Sequence, residues 1–405
     1  MKVLLINNFH YRKGGSEAVY FNTGRMLEAH GHQVVWFSFK DDKNQPCAQS
    51  EYFPERSSGA RAALDYFYNR NVEKALTRLI EAEKPDIANV HLIWGGMTPA
   101  IFRPLRKAGI PLVHTVHDYR MVCPAYTFRN GAGEVCEKCR RGHWLPCVSH
   151  RCSKGSLAQS AMMAAEMYTR EWFHNPLKNI DGFIFVSKFC EKRHIVHNHD
   201  FADARRTVLY NTVEMAAPEK MQRGEYFLYY GRLSQEKGVE DLIKAFSAPD
   251  MPSLKVVGTG PVEEKVRRQA AGAANIEFLG YRSGEPLFDL VRGCSFVIVP
   301  SRWYENNPMT IVEAYALGKP VIGSAIGGIP EIVEGTGAGW LYEPGNVDAL
   351  TDTLWTADSL DDKGYEMMSA SARAFYEANF GGEAHYNRLS AFFEEVLAAY
   401  REDRR

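Results

Sequence analysis

Two glutamates separated by seven residues stand in a segment whose composition suits a phosphate-bearing ligand. Glu305 and Glu313 lie in PSRWYENNPMTIVEAYALG, which continues the apolar run FVIVP. If FVIVP is a strand of an open α/β sheet, Glu305 follows its carboxyl end, where ligands bind in such sheets. Pro308 suits the first turn of a helix, which puts Glu313 about one and a half turns into that helix. Asn306 and Asn307 then precede backbone N–H groups that can hold a pyrophosphate.

Two cations follow a second strand candidate. In YYGRLSQEKGVEDLIKAF, Gly231 ends the strand, and Arg232 and Lys237 precede a helix. Cations at the mouth of a sheet can neutralise the charge that builds on a departing diphosphate. Gly258 and Gly260 follow the next strand, in VVGTGP. They either let the backbone approach a nucleotide or serve only as turn glycines.

The N-terminal half offers a glycine pair and strand-end histidines. Gly14 and Gly15 precede the first helix, in KGGSE, and suit a loop that closes over phosphates. Their spacing is not the dinucleotide pattern G-x-G-x-x-G, so an ordinary strand-to-helix turn stays open as the alternative. In HTVHDYR, His117 and Asp118 end a strand candidate and would face a ligand, although a purely structural histidine is the common alternative. His91, in NVHLIWGG, is a further candidate.

Five of the eight cysteines lie between residues 123 and 152. A C-x2-C, x7, C-x4-C array within this insertion could hold one structural zinc ion through Cys136, Cys139, Cys147 and Cys152. The gap between the pairs is shorter than in a usual zinc ribbon. Free or redox-active thiols and an iron–sulfur cluster therefore stay open as alternatives.

A basic stretch overlaps this insertion. From Lys138 to Lys154 there are five Lys or Arg and no acidic residue, and the Met-rich segment SLAQSAMMAAEMYTREWF follows. Such a surface can rest on anionic lipid headgroups. Solvated charges beside a buried helix are the alternative.

The elements that must position these residues alternate between strands and helices. KVLLIN, a helix from about Glu17 to His30 and QVVWFSF form a first βαβ unit, and the alternation restarts after a polar linker. The fold predicted is α/β, with two Rossmann-like, doubly wound domains facing across a cleft. The boundaries predicted are an N-terminal domain at 1–210 with the cysteine-rich insertion 123–152, a linker at 211–225, a C-terminal domain at 226–380, and a C-terminal helix at 381–405 that could pack back on the first domain.

Composition narrows the classes of function. With 405 residues, 45% of them hydrophobic, the chain can bury two ordinary cores. A net charge of −1 gives no general attraction to nucleic acid, so no nucleic-acid partner is expected. The N-terminal MKVLLINNF is too short an apolar run for a signal peptide, which predicts a cytoplasmic protein.

Glu305, seven residues, Glu313 and then EAYALGKPVIGS and GGIPEIV resemble the donor-site motif of retaining glycosyltransferases of family four, which have the GT-B fold. The resemblance covers nearly the whole chain. It implies that Glu305 contacts the donor sugar and that Glu313 hydrogen-bonds the ribose. It also assigns Arg232 and Lys237 to the leaving diphosphate. Asn306-Asn307-Pro308 replaces the Phe-Gly that is frequent in the family, so the donor is not identified.

For the N-terminal domain, the resemblance places His117 near the donor sugar and the Gly14-Gly15 loop opposite the donor. Catalysis is then expected from Glu305, His117, Arg232 and Lys237. The donor is expected to be bound by Gly14, Gly15, Gly231, Gly258, Gly260, Asn306, Asn307 and Glu313.

The reaction implied moves a sugar from a nucleotide-diphosphate sugar to a glycan or lipid-linked acceptor. The leading hypothesis is a role in surface polysaccharide biosynthesis, and the basic stretch adds peripheral membrane contact as a further hypothesis. It would be a same-face substitution in which the leaving phosphate helps to deprotonate the acceptor. The sequence has no D-x-D pair for a diphosphate-bound metal, so Arg232 and Lys237 would replace the metal, and no catalytic cofactor is expected. A nucleotide-sugar epimerase or hydrolase on this fold, and a non-catalytic sugar-nucleotide-binding partner, are the alternatives.

Overall fold

The chain folds into two compact units. The computed structural model describes residues 1–218 and 221–403. The first unit comprises Met1–Tyr210 and His385–Arg405, and the second comprises Asn211–Ala384. Residues 219 and 220 of the predicted linker, and 404 and 405 of the predicted C-terminal helix, lie outside the described residues. Within the described ranges, no helix is long and apolar enough to cross a lipid bilayer.

A parallel sheet forms the centre of the first unit. Its strands are β1 (Lys2–Ile6), β2 (Gln33–Phe37), β3 (Ile87–Val90), β4 (Leu112–Val116), β5 (Gly182–Phe185) and β6 (Arg206–Val208). They pair in the order β2-β1-β3-β4-β5-β6, each pair parallel. β3, β4 and β5 are buried along their whole length, which accounts for their largely apolar sequences. The strand order reverses between β1 and β3, and such a switch point is where open α/β sheets bind ligands.

Helices surround this first sheet. They are α1 (Gly15–Ala29), α2 (Gly59–Asp65), α3 (Arg70–Glu83), α4 (Phe102–Ala108), α5 (Leu145–Ser149), α6 (Leu157–Phe173), α7 (Pro176–Asn179) and α8 (Lys188–His197). Side-chain caps define several of their starts, because a side-chain oxygen satisfies an N–H group that the first turn leaves without a partner. Asn69 caps α3 in this way, Ser156 caps α6 and Ser187 caps α8.

The second unit repeats the same plan. Its strands are β7 (Tyr226–Tyr230), β8 (Leu254–Val257), β9 (Ile276–Gly280), β10 (Cys294–Val299), β11 (Val321–Ser324) and β12 (Gly339–Tyr342). They pair in parallel in the order β12-β11-β10-β7-β8-β9, so the switch point lies between β7 and β10. Its helices are α9 (Val239–Phe246), α10 (Glu263–Gln269), α11 (Glu285–Arg292), α12 (Met309–Ala316), α13 (Ile329–Val333), α14 (Val347–Asp358) and α15 (Asp362–Asn379).

The C-terminal helix, α16 (Gly382–Glu402), contributes to the core of the first unit. Its residues Leu389, Phe392, Phe393 and Val396 are buried with residues of β1 and β5. A Cβ atom at Gly182 in β5 would lie 2.8 Å from the Val396 Cγ2 atom, so only glycine lets the helix pack this closely on the strand.

These sheets confirm the prediction of a doubly wound α/β fold with two Rossmann-like domains. The first predicted helix, Glu17 to His30, corresponds to α1, which starts two residues earlier at Gly15. Residues 211–218 of the predicted linker contain no helix or strand.

Candidate functional site

Three loops of the second unit meet at the carboxyl ends of β7, β10 and β11. A Cβ atom at Gly238, where φ is +69°, would lie 1.7 Å from the Pro300 carbonyl oxygen. A Cβ atom at Gly327, where φ is +66°, would lie 2.4 Å from the Glu305 carbonyl oxygen, and the Gly328 N–H group donates to that oxygen at 2.7 Å. Glycine is required at 238 and 327 both for the left-handed backbone and for the close approach. The loops after β7, β10 and β11 thus pack against one another and form one continuous surface at the switch point of the second sheet.

Glu305 lies at the centre of this surface and is only 7% exposed. Its Oε1 atom accepts hydrogen bonds from Lys237 Nζ at 2.6 Å, Ser301 Oγ at 2.7 Å and Trp303 Nε1 at 2.8 Å. Burial alone would raise the pKa of the carboxyl group, but the Lys237 charge and these hydrogen bonds hold the pKa below its usual value. Glu305 is therefore an ionised carboxylate at neutral pH.

The two predicted cations occupy different environments. Lys237 is paired with Glu305, and its Nζ atom lies 5.4 Å from the centroid of the Trp303 ring. The Arg232 side chain is exposed, and no described residue forms an ion pair or a side-chain hydrogen bond with it. Arg232 thus presents an unneutralised charge on the same β7–α9 connection as the paired lysine, which is what a diphosphate would need.

The start of α12 departs from the expectation for Asn307. The Asn307 side chain is buried and its amide oxygen accepts from the Asn211 N–H group at 2.6 Å, while the Asn307 carbonyl accepts from Asn211 Nδ2 at 2.8 Å. This side chain therefore fixes the backbone at the start of the second unit. Asn306 is half-buried, and Pro308 occupies the position just before the helix.

Glu313 lies on the second turn of α12, near Tyr230 at the end of β7. The Tyr230 hydroxyl donates to the Thr310 carbonyl at 2.9 Å. Burial, followed by the charge and hydrogen bonding of Glu313, raises the pKa of Tyr230 well above its usual value. The tyrosine therefore stays a neutral hydroxyl at neutral pH.

The glycines after β7 and β8 have a packing role of their own. A Cβ atom at Gly258, where φ is +134°, would lie 1.9 Å from the Gly231 carbonyl oxygen. A Cβ atom at Gly260 would lie 2.2 Å from the Leu233 carbonyl oxygen. Gly258 and Gly260 thus let the two loops touch, which favours the turn-glycine alternative for these two residues without removing their backbone from a ligand's reach.

In the first unit, two histidines meet beyond β3 and β4. The His91 Nδ1 atom lies 2.8 Å from His117 Nε2, and the rings stack with centroids 5.1 Å apart. Burial lowers the pKa of His117 to about 4 and that of His91 well below its usual value. His114 is buried, and its Nε2 atom donates to the His91 carbonyl oxygen at 3.1 Å, so this ring belongs to the core. The predicted His91 and His117 are thus brought together as a neutral pair.

The loops after β1 and β3 are fastened by two asparagines that the sequence interpretation missed. The Asn7 amide oxygen accepts from the Leu92 N–H group at 2.9 Å, and the Asn8 amide oxygen accepts from the Met97 N–H group at 3.1 Å. A Cβ atom at Gly96 would lie 2.4 Å from that Asn8 oxygen. The pair NN directly after the apolar run KVLLI was the available signal.

Gly14 and Gly15 lie exposed at the start of α1. Gly14 has an extended backbone, and a Cβ atom there would meet only Glu17 Oε2, at 3.6 Å, an ordinary contact. The chain itself therefore does not require glycine at position 14. Glu17, buried beneath this loop, has its pKa raised by burial, against opposing hydrogen bonds that include one from Ser16.

A buried ion triad holds the segment that follows His117. The Asp118 carboxylate accepts from the Arg120 N–H group at 2.9 Å. Glu166, in α6, lies 3.4 Å from Arg120 Nη2 and 3.2 Å from Arg170 Nε, and each of these three side chains is no more than 4% exposed. Through its ion pair with Glu166, Arg120 thus fastens the loop after β4 to α6.

The predicted zinc site finds no support in the structure. In the described ranges, which include all four predicted ligands, no group of three or more His, Cys, Asp or Glu is arranged to hold a metal ion. Cys136, Cys139, Cys147 and Cys152 are all free thiols. Burial raises the pKa of Cys139 to about 12, so this sulfur is a protonated thiol. The insertion is instead held to α8 by Glu137, which pairs with Arg193 and His197.

Two family models together match most of the chain. Residues 13–216 match the model described as Glycosyltransferase Family 4, and residues 212–375 match the model described as Glycosyl transferases group 1.

Individual proteins show the same similarity. An uncharacterized 42.6 kDa protein in the cps region of Klebsiella pneumoniae is 22% identical over 82% of this chain and 87% of its own length. The O-antigen chain mannosyltransferase C of Escherichia coli is 27% identical, over 42% of this chain and 47% of its own length. Among solved structures, Anabaena HepE in complex with UDP and glucose has a TM-score of 0.67 at 18% identity, covering 98% of this chain and 100% of that one.

Proposed function

This chain belongs to the group 1 glycosyltransferases of glycosyltransferase family 4, and we propose that it transfers a sugar from a nucleotide-diphosphate sugar to a glycan or lipid-linked acceptor with retention of configuration. One observation carries the proposal. At the switch point of the second sheet, a buried ionised Glu305 and its partner Lys237 lie in the same surface as the loop that bears the exposed Arg232. A carboxylate suits sugar hydroxyls, and an unpaired guanidinium suits phosphate oxygens.

Within this proposal, Glu305 binds the donor sugar and Glu313 accepts a hydrogen bond from the ribose. Arg232 and Lys237 stabilise the negative charge on the leaving diphosphate. Fixed charges of this kind favour the transition state, because they need no reorganisation when charge develops. The backbones of Gly231, Gly258, Gly260, Asn306 and Asn307 are proposed to line the nucleotide.

His117 and the Gly14-Gly15 loop are the proposed contribution of the first unit. His117 stays neutral above about pH 5, because burial lowers its pKa to about 4. A neutral imidazole can either donate a hydrogen bond to a sugar hydroxyl or accept one from it, whereas an imidazolium could only donate. Gly14 and Gly15 are exposed and leave their backbone N–H groups accessible to phosphate oxygens. The packing of the fold does not itself require glycine at position 14.

We further propose that transfer needs no metal ion, since Arg232 and Lys237 supply the positive charge that a metal would otherwise bring. The test is turnover in the presence of EDTA and after added Mg²⁺ or Mn²⁺. Equal rates in both conditions support the proposal, and a rate that depends on added metal contradicts it.

The acceptor is proposed to belong to a surface polysaccharide made on the cytoplasmic side of the membrane. Relatives named for the cps region and for the O-antigen chain motivate this proposal. At the end of α6, Trp172 and Phe173 are 71% and 72% exposed, and exposed aromatic side chains suit the interface of a lipid bilayer. Sedimentation with vesicles containing anionic lipid, compared between wild type and a Trp172→Ser/Phe173→Ser variant, tests this contact.

Donor use is tested in two steps. Thermal-shift screening against UDP-, GDP- and ADP-sugars identifies the donor, and turnover is then compared between Glu305→Ala and an exposed control, Glu366→Gln. Glu305→Ala should lose nearly all turnover and still bind the nucleoside diphosphate, while the control should match wild type. Unchanged turnover in Glu305→Ala would overturn the site assignment.

The alternatives differ in their need for an acceptor. A hydrolase would consume donor at the same rate whether or not an acceptor is added, and an epimerase would release an isomerised nucleotide sugar. A non-catalytic binding partner would bind donor without consuming it. Mass spectrometry of the donor with and without candidate acceptors separates these outcomes.

A further inference from the structure

The two oxygens of the Glu305 carboxylate have unequal surroundings. Oε1 accepts three hydrogen bonds, from Lys237, Ser301 and Trp303. No described residue donates to Oε2, and Oε2 is not among the enclosed side-chain atoms that lack a partner. One oxygen is therefore saturated within the protein, and the other is left open.

We propose that Ser301 and Trp303 are positioning residues that lock Glu305 so that Oε2 alone faces the donor sugar. This inference rests on the proposed function and extends it to two residues that the donor-site motif does not include. A carboxylate bound through a single cation can turn about its terminal bond and present either oxygen. Donors from three directions remove that freedom, because turning would break all three hydrogen bonds at once.

The two positioning residues are themselves held in place. The Ser301 carbonyl accepts from Ser324 Oγ at 2.6 Å, which ties the β10 loop to the end of β11. Between Ser301 and Trp303, the Arg302 guanidinium pairs with both oxygens of the buried Asp241. The Glu305 N–H group donates to the Trp303 carbonyl at 2.9 Å, which closes a tight turn. Support of this kind around a site residue fixes its orientation.

Trp303 acts on Lys237 as well as on Glu305. The lysine ammonium lies 5.4 Å from the indole centroid, within the range of a cation–π contact. The indole therefore restrains both members of the ion pair, by its N–H group on one side and its ring face on the other. Phenylalanine at this position would keep an aromatic face and lose the N–H group together with the second ring of the indole.

The test compares Trp303→Phe and Ser301→Ala with wild type and with matched controls in the same unit, Trp355→Phe and Ser359→Ala. Measurements are kcat and KM for the sugar nucleotide that wild type turns over, the Kd for UDP and for GDP, and the pH profile of kcat. A roughly 10- to 100-fold lower kcat is expected for each positioning variant, the range typical when a residue that orients a site group is lost. The Kd for the nucleoside diphosphate should stay within about twofold, because the sugar is absent from these ligands.

The acidic limb of the pH profile should move to higher pH in both variants, since each loses a hydrogen bond that lowers the pKa of Glu305. The controls should show none of these changes. Unchanged kcat in both variants, or an equal loss of diphosphate affinity and kcat, would overturn the proposal.

A crystal structure of Trp303→Phe gives a readout that needs no donor. Glu305 should then occupy two orientations or turn away from its present one, and a single unchanged orientation would contradict the positioning role. If wild type turns over no sugar nucleotide at all, the proposed function fails, while the crystal structure still decides whether Trp303 orients Glu305.

Discussion

His91 Nδ1 lies 2.8 Å from His117 Nε2, so one ring must donate its proton to the other. The His91 Nε2 atom is enclosed and has no hydrogen-bond partner. Burial lowers the pKa of each ring, and the neighbouring His117 lowers that of His91 further, because two protonated rings would face each other away from solvent. The pair is thus a neutral unit whose single shared proton fixes the orientation of His117.

This pair predicts a pH dependence of stability. The folded-state pKa of His117 is about 4, below the value of about 6.5 expected for an unfolded chain, so the unfolded state binds more protons as pH falls. The contribution that neutral His117 makes to the free energy of unfolding is therefore complete above about pH 6.5 and is lost as pH falls toward 4. His117 alone should cost ~2 kcal/mol between pH 6.5 and 5.

Urea unfolding of wild type, His117→Asn and the exposed control His199→Asn at pH 7 and pH 5 measures this effect. His117→Asn should lose less stability between the two pH values than wild type does. His199→Asn should behave as wild type. An equal loss in all three proteins would mean that His117 titrates normally in the folded state.

Arg232 and Lys237 should respond differently to truncation. Arg232→Ala removes an exposed cation that no described residue pairs with, so it should weaken UDP and GDP binding without changing the melting temperature. Lys237→Ala should weaken binding and also lower the melting temperature, because it leaves Glu305 buried without its cation. Calorimetry and thermal unfolding check both, with the exposed Arg282→Ala as the control. Equal melting temperatures for the two variants would contradict the pairing of Lys237 with Glu305.

Glu166 should be essential for the stability of the first unit. Glu166→Gln leaves Arg120 and Arg170 buried without their carboxylate, a change that costs about 3–5 kcal/mol in comparable buried pairs. Glu171→Gln, on the same helix, removes a partner of the more exposed Arg141 and should cost less than about 1 kcal/mol. Denaturant unfolding measures the free energy of unfolding of both variants. Similar losses of stability would show that the buried triad contributes no more than the more exposed ion pair of Glu171.

Gly238 should tolerate no side chain. Both Gly238 and Gly284 have positive φ, at +69° and +61°, but only at Gly238 would a Cβ atom collide, with the Pro300 carbonyl oxygen. Gly238→Ala should therefore lower both stability and turnover by separating the β7 and β10 loops, whereas Gly284→Ala should show only the cost of its backbone conformation. Thermal unfolding and turnover of the two variants provide the comparison. Equal effects would mean that the loop contact at Pro300 is dispensable.

The sequence predicted the strands and helices better than it predicted which residues contact one another. Apolar runs such as KVLLI and CSFVIV identify strands because a parallel sheet covered on both sides excludes polar side chains. The Lys237–Glu305 contact joins residues 68 positions apart, and it exists only because β7 and β10 are neighbours in the sheet. No spacing rule gives that strand order. For the same reason Trp303, whose role depends on the direction of its N–H group, had no signal in the sequence.

The cysteine array shows the limit of a spacing rule. Its spacing suggested zinc, but a spacing constrains only the chain and not the directions of the four sulfurs, and among the described residues no group of three or more His, Cys, Asp or Glu is arranged to hold a metal ion. Its anchor, Glu137, is a residue that no motif marked.

The packing of α16 on β1 and β5 has a consequence for biosynthesis. Phe392 and Val396 leave the ribosome only after the whole second unit, yet they belong to the core built around Val3 and Leu5. The apolar face of the N-terminal sheet that α16 covers therefore stays exposed while the whole second unit is translated. At ~5–20 residues per second, that interval lasts on the order of ten seconds or more. A nascent chain stalled before α16 would expose this face, and chaperone binding should be strongest at that stage of synthesis.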